Sequence, residues 1–89
     1  MMRYVGKARF FIGNESIVLV GRAANGGVSE YGRKALCSAG VAKETGEGLV
    51  YIGAASAKLR GGEEVEVPED GLLDLSLESV ENKTQFEEV

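Results

Sequence analysis

Chemistry, if this chain performs any, should start at a glycine-rich turn. Gly21-Arg22-Ala23-Ala24-Asn25-Gly26-Gly27 follows an apolar run, Ile17-Val18-Leu19-Val20, and leads into a stretch with helical spacing. A strand that delivers a glycine loop to a helix N-terminus leaves backbone N–H groups free to hold an anion. Gly21 and Gly26 have the glycine spacing of a phosphate-binding loop, but Gly27 and Val28 stand where that loop needs Lys and Ser/Thr. Without the lysine and the magnesium-binding hydroxyl there is no equipment for nucleotide hydrolysis. What the turn offers is narrower: Asn25, Gly26 and Gly27 with Arg22 beside them, as a place for a small anionic ligand or as a plain turn.

The other reactive side chains are few. The chain has no histidine and one cysteine, Cys37, which excludes an internal disulfide, Ser-His-Asp and Cys-His chemistry, and the usual zinc sites. Cys37 falls inside the helical stretch and reads as a structural thiol. Glu63-Glu64-Val65-Glu66 and Glu69-Asp70 do not follow the ligand spacing of an EF-hand loop, so they read as a solvated edge strand. No catalytic set and no cofactor are expected.

Nucleic acid is the second kind of chemistry to weigh. Lys58-Leu59-Arg60-Gly61-Gly62 places two cations beside a tight turn, the form of a basic hairpin tip that tracks phosphates. Arg22, with Lys7 and Arg9, would extend that patch. The strand, glycine turn and helix of residues 17–40, followed by this hairpin, locally resemble small archaeal chromatin proteins of the Alba type. The likeness covers those segments alone and implies nucleic-acid binding as one expectation.

Charge is divided along the chain. Residues 1–60 carry nine Lys/Arg against four Asp/Glu, a charge of +5, and residues 61–89 carry Lys83 against ten acids, −9; together they give the net −4. A basic body and an acidic C-terminal third suit an anionic partner, head-to-tail pairing of copies, or internal neutralisation. The 44% apolar content is that of a globular protein, yet 89 residues without Trp make a modest core of Val, Leu, Ile and Ala. Burial of one face in a homo-oligomer is a common remedy. No secretion signal or membrane-spanning run is evident, so the expected setting is cytoplasmic, with no membrane partner.

The elements that position these residues follow from periodicity. Residues 3–12 alternate as a strand, Gly13-Asn14 is a hairpin signal, and residues 16–22 form a second strand, apolar on both faces. Val28, Tyr31, Ala35, Leu36 and Ala39 make one helical stripe, with Asn25 or Ser29 as N-cap, Gly32 at a close approach to the sheet, and Gly40 as the stop. Residues 42–48 read as a polar loop, 49–60 as a strand bent near Gly53, 63–67 as a half-exposed strand, and 72–80 as an amphipathic strand. The expected fold is α+β: a domain over residues 1–80 in β-β-α-β-β-β order, its mostly antiparallel sheet covered on one face by the helix. Residues 81–89 read as a frayed acidic tail. The leading functional expectation is a non-catalytic, self-associating interaction module.

Overall fold

A computed structural model describes residues 1–89. Its elements are β1 (Met2–Tyr4), β2 (Lys7–Ile12), β3 (Glu15–Val20), α1 (Glu30–Ser38), β4 (Ala42–Thr45), β5 (Gly48–Tyr51), β6 (Ser56–Lys58), β7 (Glu64–Glu66), β8 (Leu72–Leu73) and β9 (Phe86–Glu88). Two short 3-10 turns, Leu77–Ser79 and Lys83–Gln85, precede β9. Every strand pairing is antiparallel and there is one α-helix, so the α+β class holds. The expected continuous sheet does not form. The strands make three hairpins, β2–β3, β4–β5 and β6–β7, and a three-stranded sheet in the order β8-β1-β9.

The fragmentation has local causes. Residues 3–12 break at Val5-Gly6, where Val5 N donates to Gln85 O and Gly6 O accepts from Gly21 N; each half of the run takes a different partner. Gly21 makes that contact possible. Its φ is +62°, and a Cβ there would lie 2.6 Å from Tyr4 O. Gly21→Ala would therefore combine left-handed strain with a collision against backbone, and we expect a loss of about 2–4 kcal/mol on chemical denaturation. A change under about 0.5 kcal/mol would show that the two crossing segments slide apart freely.

Residues 42–48, expected as loop, are instead half of a hairpin. Ala42 opposes Tyr51 and Glu44 opposes Leu49. In β4 only Ala42 is buried, while Lys43 and Glu44 stay exposed, so the strand shows no apolar period. Residues 72–80 keep only two strand residues before the chain turns into the 3-10 segment. The acidic end is not frayed. β9 lies along β1, with Tyr4 opposite Phe86 and Met2 opposite Glu88, and Phe86 is buried. Glu87 and Glu88 beside it are exposed, which is why composition alone reads as a tail.

Two apolar clusters result. One joins Ile17, Leu19, Leu36, Ala42 and Leu49, beneath α1 and its two flanking hairpins. The other joins Met2, Ala57, Val67, Leu73, Val80 and Phe86, around the three-stranded sheet. The chain is elongated, 41 × 23 × 18 Å. Gly32 sits where a Cβ would approach Ile17 Cδ1 to 2.5 Å, so the helix does close on β3 at that position. The rest of the stripe is only partly inward, since Tyr31 is 62% exposed.

Candidate functional site

The helix begins later than the glycine turn. Ser29 is its N-cap and its hydroxyl accepts from Gly32 N at 3.1 Å. The same hydroxyl donates to Glu15 Oε2 at 2.8 Å. The helix N-terminus, the usual seat for an anion, thus faces a carboxylate that β3 supplies from this chain. Asn25 is committed elsewhere. Its N–H donates to Leu49 O at 2.6 Å, its carbonyl accepts from Leu49 N at 3.0 Å, and its side-chain oxygen caps Val20 N at 3.0 Å. Gly26 and Gly27 are exposed, with Gly27 at φ +78°; they line a groove along β3 beside Glu15. Asn25 is therefore a clasp between β3 and β5, while Gly26 and Gly27 share their groove with Ser29 at the helix start.

Arg22 is separated from this turn by burial. Only 4% of it is exposed. Its Nη1 donates to Tyr51 O at 2.9 Å and its Nη2 to Val67 O at 3.3 Å, while its guanidinium carbon lies 5.2 Å from the centre of the Tyr51 ring. The Nε has no partner. No carboxylate lies within ion-pair distance of it. Because Tyr51 flanks one apolar cluster and Val67 belongs to the other, Arg22 joins the two halves of the molecule. It is a staple.

Lys58 and Arg60 sit on the β6–β7 hairpin, whose Gly61-Gly62 turn closes with Gly62 N donating to Leu59 O. Lys58 faces Glu64 across the strands, and Arg60 lies 3.9 Å from Glu78. The expected basic tip is thus interleaved with acids from the C-terminal third, and Arg22 is not beside it. Of the residues proposed from sequence, Asn25, Gly26 and Gly27 stay together, Lys58 and Arg60 share the β6–β7 hairpin, and Arg22 joins neither group.

A different group of side chains converges. On β2, Lys7, Arg9 and Phe11 alternate on the outer face, opposite Val20, Val18 and Ser16 of β3. Phe11 is 77% exposed and Val20 45% exposed. Six other cations are tied to carboxylates, including Arg33 to Glu44, Lys43 to Glu69 and Arg3 to Glu87; Lys7 and Arg9 are not. Glu15, the one acid of this hairpin, is turned to the helix. The outer face therefore carries two unpaired cations, an exposed aromatic ring and two valines. Its period-two alternation is visible in the sequence; which side faces outward is not, because both sides of β2 carry apolar residues.

The titration of Tyr4 adds one observation beside the staple. Its hydroxyl is pushed above the ordinary 10.0 by burial first and then by Tyr51, with Arg22 pulling the other way. Folding thus favours the protonated phenol. That contribution to stability is complete below the ordinary value of 10.0 and falls as pH rises through the raised one. We expect the unfolding midpoint to drop in alkali more for the native chain than for Tyr4→Phe; coincident pH curves would contradict it.

No group of three metal-ligating side chains comes together, and no helix is long and apolar enough to cross a membrane. Scanned against protein-family models, the chain matches none, and searches of curated proteins and of solved structures find no similar chain.

Proposed function

We propose that this protein is a non-catalytic interaction module that associates with copies of itself through the outer face of β2–β3. The observation that carries the reading is Phe11, 77% exposed in one row with the unpaired Lys7 and Arg9. An exposed ring at the end of a cationic row on a regular sheet face is costly to leave in water and typical of a surface that meets a partner. A small core divided into two clusters also gains from burial in an assembly. The absence of histidine supports the non-catalytic part, and a single cysteine supports a cytoplasmic setting.

Light scattering after size exclusion tests it. The mass should rise above the 9.4 kDa of one chain as concentration increases, and Phe11→Ser should reverse the rise. A monomer at every concentration and salt would overturn the reading.

A second reading, nucleic-acid binding, draws on the same row, because two cations followed by an aromatic can hold phosphates while a base stacks. It predicts binding of a fluorescent single-stranded oligonucleotide that weakens steeply with salt and is lost in Phe11→Ala. No binding at low salt would remove it.

A further inference from the structure

Resting on the self-association reading, we infer that the β2–β3 outer face of one copy docks on the acidic face of the β6–β7 hairpin of the next. On β7, Glu64 and Glu66 are exposed and Val65 turns inward. Neither carboxylate is within ion-pair distance of a cation. Together with Ala54, Ala55 and Ser56 they line a concavity of about 380 Å³. Its lining combines three small residues with two carboxylates and includes no cation.

The two faces match in three respects. Lys7 and Arg9 are two residues apart on a strand, as are Glu64 and Glu66, so each pair is spaced by about 7 Å. Phe11 continues the cationic row by one more step and needs a recess beside acids, which the concavity at Ala54, Ala55 and Ser56 supplies. The charges are of opposite sign and free on both sides, while most other cations are neutralised within the chain. Lys58, across from Glu64, limits the acidic face at one end, and Ser56 lies across from Glu66.

The faces belong to different apolar clusters and are different patches of one molecule. The contact is therefore heterologous, and it propagates head to tail unless a ring closes. Ion pairs at its rim make it sensitive to salt, and the ring in its recess supplies the desolvated centre.

The test uses two half-blocked variants of the full chain. Arg9→Ser with Phe11→Ser removes the projecting face; Glu64→Lys with Glu66→Lys reverses the receiving one. All four positions are surface strand residues, and unchanged circular dichroism and unfolding midpoints would certify folding. Each variant alone should associate at least about tenfold more weakly than the native chain. An equimolar mixture should recover one native contact and stop at a one-to-one heterodimer. If the native chain assembles but the Glu64/Glu66 variant assembles equally well, or the mixture stays monomeric, the pairing is wrong while self-association stands. If the native chain never assembles, both readings fall. Salt-sensitive oligonucleotide binding by a monomeric native chain, lost with Arg9 and Phe11, would assign the face to nucleic acid instead.

Discussion

Arg22→Met is expected to lower the unfolding free energy by about 2–4 kcal/mol, although it keeps much of the length of the side chain and removes a buried charge. Two terms oppose each other. The native guanidinium is buried without a counter-ion and with an idle Nε, so its burial is itself unfavourable. Against that, Tyr51 O and Val67 O would both be left facing a thioether with no donor. An unsatisfied buried carbonyl costs about 1–3 kcal/mol; Val67 O is such a group and Tyr51 O is part-buried, so together their loss dominates. The contact of the guanidinium with the Tyr51 ring adds to the deficit. Arg22→Lys should recover only part, because one ammonium lacks the fork that reaches carbonyls in two directions. Urea titration followed by circular dichroism and by tyrosine fluorescence measures both the loss and the coupling. We expect the two probes to diverge in the Arg22→Met variant as the halves of the molecule uncouple. A loss within about 0.5 kcal/mol, the range of ordinary surface substitutions, would mean that the staple is idle.

Phe86→Ala is expected to be as damaging or more so, by about 3–5 kcal/mol. Phe86 is 5% exposed and is the one buried ring of the cluster it forms with Met2, Ala57, Val67, Leu73 and Val80. Its ring meets Tyr4 edge-on at 5.6 Å between centroids. Removal leaves a cavity against β1, whose backbone also loses its register partner if β9 detaches. Against a total stability of about 5–15 kcal/mol for domains in general, such a loss leaves little margin. Glu87→Gln and Glu88→Gln, from the same three-residue strand, should stay within about 0.5 kcal/mol, since both are exposed. Thermal and urea denaturation of the three variants would decide it. A stable Phe86→Ala would restore the view of residues 81–89 as a tail.

Those two residues also mark where sequence reasoning stops. The hairpin at Gly13-Asn14, the turn at Gly61-Gly62 and the helix over its Ser29 cap are legible because their signals are local: paired turn residues, a capping side chain, a 3.6-residue period. Phe86 is not, because one apolar residue among acids has no period to declare a strand; its partner Tyr4 lies at the other end of the chain. Arg22 reads as a surface cation by type, and only the carbonyls of Tyr51 and Val67, 29 and 45 residues away, keep it buried. The glycine segment is a turn, as its composition implies. Its anion reading assumes that the helix starts at Asn25–Val28, whereas helical structure waits for the Ser29 cap and the chain spends its own Glu15 there. For the outer face of β2–β3 the residues are visible and their orientation is not: β2 is apolar on one side and mixed on the other, and α1 packing on Ile17 and Leu19 decides which side is covered.

The order of events in folding follows from where β1 sits. The cluster of Ile17, Leu19, Leu36, Ala42 and Leu49 draws on one continuous segment and on hairpins with short loops. The other cluster needs Met2 and Phe86, with β1 held between β8 and β9, and closing that long loop carries an entropy that short hairpins avoid. The segment around α1 can therefore assemble first, with β1 waiting unpaired until residues 72–88 return to flank it. Until then its backbone is an open edge, free to capture a wrong neighbour in a crowded solution.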